Sequence, residues 1–163
     1  MAVRNCGELG ENLQKIIKRL LANDDLVKLL YYSDKDPLSK DTLTEEQKKK
    51  EVFEKLIKIV PRVGPKEDAK SMIVITVVKA DTNPENVEFR NIFIRVEVFV
   101  PLTQWLMKNS NLRPFAILGE VQKSLNNKTI NGLGKMLGGS FELNFLSEEM
   151  SCYSQDFSII SYE

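Results

Sequence analysis

Histidine is absent from this 163-residue chain. Its absence removes both the commonest general base and the commonest metal ligand. Cysteine is scarce: Cys6 and Cys152 lie near opposite ends, a separation that fits two indifferent thiols better than a disulfide or a metal knot. Net charge is lacking too, with 23 Lys and Arg against 23 Asp and Glu, so nothing in the totals demands a polyanionic partner. No apolar run nears the roughly 18 residues of a spanning helix, and the first residues carry no apolar signal core. The expectation is a soluble protein in a reducing compartment, with no membrane partner. At this length one domain, 1–163, is expected, with enough burial to hold a core without staples.

What is present divides by periodicity. Leu9, Leu13, Ile16, Ile17, Leu20 and Leu21 recur at helical spacing opposite Glu11, Lys15, Lys18 and Arg19, which predicts an amphipathic helix over 9–22. Asn23 or Asp24 is placed to cap a second, shorter helix carrying Leu26, Leu29 and Leu30 inward. Residues 33–70 are charge-dense, with 19 of the 38 being Lys, Arg, Asp or Glu. There Thr44–Gln47 reads as a capping box, and Val52, Phe53, Leu56 and Ile57 as a narrow apolar stripe on the helix it opens. Prolines 37, 61 and 65 punctuate this segment. It reads either as a solvated arm laid on the core or as a partner-facing insertion ordered by assembly.

The run "SMIVITVVKA" predicts a buried strand over 71–80. In "IFIRVEVFV", Ile92, Ile94, Val96, Val98 and Val100 share one face while Phe93, Arg95, Glu97 and Phe99 share the other. The two strands, joined by about ten residues, should pair antiparallel. Pro114 opens a helix whose apolar face is Phe115, Leu118, Val121 and Leu125. "SFELNFL" alternates with Phe141, Leu143 and Phe145 together, "SEEMSCYSQ" turns, and "DFSIISY" closes with Phe157 and Ile159 together. The expected fold is α+β: a mainly antiparallel four-stranded sheet covered by helices, with the charged helical insertion.

The run "NNKTINGLGKMLGGS" looks like a phosphate loop but fails both known patterns. Gly134-Lys135 has Thr129 where a Walker loop needs glycine and Met136 where it needs Ser or Thr. For a dinucleotide fingerprint, Leu137 stands where a third glycine belongs, and a strand rather than a helix follows. It reads as a connection, with a helix exit at Asn131-Gly132 and a bulge or turn at Gly138-Gly139. Ser151-Cys152 has no histidine to activate it. Arg95 and Glu97 make a better cross-strand charge pair than a nuclease centre. Basic residues cluster only at Lys48–Lys50, amid Glu45, Glu46, Glu51 and Glu54, without interleaved aromatics, so sequence-reading nucleic-acid binding has little support. No catalytic, metal-ligating or cofactor-binding residue is assigned. Surface for partners remains, and interfaces enrich aromatics, Met and Arg. The residues expected there are Tyr31, Tyr32, Phe53, Arg90, Trp105, Met107 and Arg113. They sit on or beside three expected contact surfaces: 33–70, the 80–91 connection and the Trp105 loop.

Two stretches, "ANDDLVKLLYYSDKDPL" and "IFIRVEVFVPLTQWLMKNSNLRPFAILGEVQKSLNNKTINGLGKM", resemble the neck and tail-terminator proteins of tailed bacteriophages. In the second a strand ends, a loop delivers "RP", a helix follows, and "INGLGK" leads into the closing strands. The likeness extends over most of 10–162; the charged 33–70 insertion departs from the shortest members. The resemblance implies a non-enzymatic virion component. It would form a cyclic homo-oligomer, six- or twelvefold, meet other neck, portal or tail proteins, and contact DNA in the bore nonspecifically. It would be assembled in the host cytoplasm. The alternatives are a small soluble adaptor or regulatory module and, more remotely, a nuclease using Glu97.

Overall fold

The computed structural model describes residues 3, 6–59, 70–82, 84–85 and 89–160. Helix α1 spans Cys6–Leu21 and buries Ile16, Ile17 and Leu20, the stripe the spacing sets. Helix α2, Asp24–Tyr31, is capped by Asn23, whose side chain accepts from the Leu26 amide at 3.0 Å. The same side chain donates to Glu120 Oε2 and Ser124 Oγ, each at 3.0 Å. One residue therefore starts α2 and ties it to α4, Arg113–Leu125.

The capping box is formed: Gln47 N donates to Thr44 Oγ1 and Thr44 N to Gln47 Oε1. The helix it opens, α3, is a single turn, Glu45–Gln47, and widens into a π turn over Lys48–Val52. Lys48 accounts for the change of course. Its ammonium is buried, 2.7 Å from Asp24 Oδ1 and 2.9 Å from Glu45 Oε1, so the segment is pinned to the start of α2. Burial alone would pull the Lys48 ammonium down; the bonds from Asp24 and Glu45 outweigh that and hold it above the ordinary lysine value. Leu43, Val52, Leu56 and Ile57 of this segment enter the common core. Leu56 and Ile57 do so beyond the π turn, not along one continuous helix. Pro61 and Pro65 lie outside the described residues.

The sheet corrects the expected four strands. Among the described residues it has six, β1 Ile57–Lys58, β2 Met72–Thr82, β3 Phe89–Pro101, β4 Lys128–Ile130, β5 Gly134–Leu146 and β6 Met150–Ile160, in the order β1-β2-β3-β6-β5-β4. β1 pairs parallel with β2, and the other neighbours are antiparallel, so the sheet is mixed. Three physical reasons separate expectation from outcome. β1 has two residues, too short to leave a period. The glycine run is not a plain connection but a β4–β5 hairpin, and β5 carries Gly134, Gly138 and Gly139 within a strand. β6 starts at Met150, so Cys152–Gln155, expected in a turn, are paired with β3 and β5.

The expected alternation in β3 is observed: Ile92, Ile94, Val96, Val98 and Val100 are buried and their neighbours face the reverse side. The helix-facing side continues with Ile73 and Ile75 of β2 and Phe157 and Ile159 of β6. The hairpin turn is held against α1. Asn12 donates to Gly132 O at 3.1 Å and Lys15 to Asn131 O at 2.9 Å. Gly132 has φ +85°, and a Cβ there would meet Lys15 Nζ at 2.6 Å and Asn12 Oδ1 at 2.8 Å, so both backbone and space call for glycine. Gly138, expected at a bulge, does sit at a register shift of β5 against β6.

Candidate functional site

The residues singled out from the sequence are placed mainly inward. Arg113, first residue of α4, is fully buried. Its guanidinium donates to the carbonyls of Leu29 and Tyr32 (both 2.7 Å), Gln104 (3.0 Å) and Asp34. Leu29 lies in the last turn of α2, so the cation closes that helix where its dipole is negative. Burial pulls the guanidinium below its usual value, countered by the charge of Asp34; arginine remains a cation regardless. Met107 is buried too. Trp105 is half-buried and donates from Nε1 to Ser151 Oγ at 2.8 Å. Tyr31 and Tyr32 stack edge-on at 5.0 Å, with Lys70 Nζ 5.6 Å from the Tyr31 ring. Phe53 packs against the core. Arg90 lies in β3, and its side chain is outside the described residues.

What is exposed and apolar lies elsewhere, around the β5–β6 hairpin. Phe141, Leu143, Phe145 and Leu146 of β5 are each about half-exposed, as are Leu106 and, to a lesser degree, Phe115 of α4. Tyr153 of β6 is the hub: its ring lies 5.3 Å from Phe115, 6.2 Å from Phe141 and 6.3 Å from Trp105. The hairpin thus carries an aromatic cluster continuous with the Trp105 loop. Phe145 departs from the expected alternation. A register shift between Leu143 and Phe145 sets Leu143 opposite Tyr153 and Phe145 opposite Cys152, so the two side chains leave the sheet on opposite faces. Residue-type reasoning missed these positions because alternating Phe and Leu read as a core-facing strand. A signal was available in charge: no Lys or Arg occurs after Lys135, while Glu142, Glu148, Glu149, Asp156 and Glu163 do.

The reverse face of the sheet holds Arg95 and Asp156 in a two-point ion pair at 2.8 and 2.9 Å. Arg95 therefore pairs across to β6, not with Glu97 on its own strand. The hydrogen bonds from Arg95 hold the Asp156 carboxyl below the ordinary carboxylate value. The pair therefore adds stability above that ordinary value and gives it up as pH falls through the lower, folded one. Both groups are partly solvated, so Asp156→Asn should cost no more than about 1 kcal/mol at neutral pH. In urea melts the variant and parent should converge as pH is lowered through the carboxylate range.

On the same face, burial and then the charge of Glu97 push the Cys152 thiol up to about 12, which keeps it a neutral thiol at physiological pH. Cys6 is exposed, and both cysteines are free. Among the described residues no group of three His, Cys, Asp or Glu is placed to hold a metal ion, and no helix is long and apolar enough to cross a membrane.

The sequence model of the YomW family matches residues 23–159, from the Asn23 cap through the arm and sheet to the penultimate residue of β6. The chain belongs to the YomW family. It is a phage-associated protein on that ground. The match takes in both the arm and the whole β5–β6 hairpin with its aromatic cluster. Comparison with curated proteins returned no match.

Proposed function

We propose that this protein is a non-enzymatic structural component of a tailed-phage particle, one subunit of a ring in the neck or at the top of the tail. In this reading the ring joins head to tail around the DNA channel. The observation that carries the proposal is the uncovered aromatic and aliphatic cluster on β5, β6 and the Trp105 loop. Solvent-facing apolar groups gathered in one place mark contact surfaces, and this cluster belongs to a phage-associated chain. A closed ring repeats one heterologous contact, so every subunit must present two different surfaces. The buried Arg113, the half-buried tyrosines and Phe53 support the body that carries such surfaces. The side-chain chemistry agrees: histidine is absent, and the buried thiol is held neutral.

Particles purified from an infected or induced host, quantified by peptide mass spectrometry against the major capsid protein, test this. The expected result is six or twelve copies per particle. Absence of the chain from particles that retain their tails would overturn the assignment.

A further inference from the structure

We infer that copies of this chain join edge to edge through the sheet, the β5 edge of one subunit lying along the β2 edge of the next. This rests on the ring reading above and names the contact that would build it.

Among the described residues the sheet has two unfinished edges at opposite ends of its strand order. On one side β4 covers β5 only from Gly134 to Met136. Asn126 then accepts from the Gly138 amide, and among the described residues no strand pairs with the outer edge over Ser140–Leu146. On the other side β1 covers only Ile73 and Val74 of β2, and among the described residues no strand lies outside Thr76–Thr82. The two uncovered stretches are matched in length, seven residues each. Open edges invite pairing, and proteins ordinarily blunt them with lysine, proline or an early twist. Ser140–Leu146 contains neither lysine nor proline and exposes large apolar groups on both faces. On the β2 edge Val78 is the apolar counterpart, 44% exposed.

Charge says which occupant fits. Beyond Lys135 the β5–β6 hairpin has acids and no base, with Glu142 and Glu148 exposed. The β1–β2 edge carries Lys55, Lys58, Lys70 and Lys79 against Glu51, Glu54 and Asp81; Lys55 reaches Glu51 at 3.3 Å and Lys79 reaches Asp81 at 2.9 Å, which leaves Lys58 and Lys70 as the excess over Glu54. An acidic edge and a lysine-bearing edge on one chain repel their own kind and attract each other. A two-fold β5-to-β5 pairing would bring acid to acid. A head-to-tail pairing satisfies the backbone of both edges, the apolar flanks and the charges together, and its repetition builds a ring when the rotation from one subunit to the next closes.

The test uses the full chain and its mass by light scattering across a concentration series. The hairpin reversal Glu142→Lys with Glu148→Lys, and the edge reversal Lys58→Glu with Lys79→Glu, should each raise the assembly midpoint by about tenfold or more. The chain carrying all four changes should assemble again. Leu143→Ser gives an uncharged variant with the same expected loss, and an unchanged thermal transition shows that each variant is folded. A wild-type chain that remains monomeric even at the highest concentration ends both the ring reading and this contact. A wild type that assembles, with a mass that neither reversal nor Leu143→Ser alters, ends this contact alone. Reversals that dissociate the assembly without rescue in the fourfold variant count against pairing between copies.

Discussion

Arg113→Met should destabilise the chain by about 3–5 kcal/mol, the range expected when one partner of a buried charged network is removed. Four carbonyls, those of Leu29, Tyr32, Asp34 and Gln104, accept from this one guanidinium. They belong to three separate pieces: the end of α2, the loop after it, and the short turn Leu102–Gln104 that follows β3. Methionine fills much of the volume but leaves the carbonyls without a donor, and α2 loses its closing charge. The expected fall in melting temperature is roughly 10 °C or more for a domain of this size. Arg113→Lys should recover only part of the loss, because an ammonium is a compact charge with three donors and cannot span the set. Urea unfolding of the three proteins checks this. A loss below about 1 kcal/mol for the methionine variant would mean that solvent replaces the guanidinium at these carbonyls.

Phe157→Ala should cost a similar amount, about 3–5 kcal/mol, through the cavity left behind. Phe157 is fully buried and stands in register with Ile94 of β3 and Gly138 of β5. The ring uses the space that Gly138 leaves empty: a Cβ at Gly138 would lie 3.1 Å from Phe157 Cε1 and 3.1 Å from Gln155 Nε2. The neighbours cannot collapse into the void readily, since Gln155 is itself held by Gly139 O at 2.7 Å and Gln122 at 3.2 Å. Phe157→Leu should retain more than half of the lost stability. The denaturant slope should be unchanged in both variants, because the surface exposed on unfolding hardly differs.

Legibility in the sequence followed the range of the interaction responsible. Local rules were readable: the apolar stripe of α1, the Asn23 cap, the Thr44–Gln47 box and the strict alternation from Ile92 to Val100 each depend on residues within one turn or one strand. Long-range effects were not. Lys48 reads as one of three lysines on a solvated run, yet its contact with Asp24, 24 positions earlier, buries it and bends the arm. Arg113 reads as a surface residue opening a helix, and only the packing of α2 against α4 turns it inward. Two-residue β1 carries no pattern. Glycines in β5 signalled breaks where the structure has a strand, because Gly138 makes room for a ring on the neighbouring β6.

The candidate surface was legible in kind but not in place. Aromatics, Met and Arg were the right residue types for a contact, but Met107 and Arg113 are consumed by the core. Phe141, Leu143 and Phe145 were placed in a strand with a common face. They sit in that strand, yet a register shift divides the face, and all three stay about half-exposed. Sequence alternation reports which side chains travel together; how far the covering layer reaches is a tertiary fact.

Mass determination of the intact purified assembly under native conditions tests the central claim most directly. The account predicts a single closed species at six or twelve times the chain mass of 18.6 kDa, present without any other protein. A monomer throughout the concentration range would contradict it.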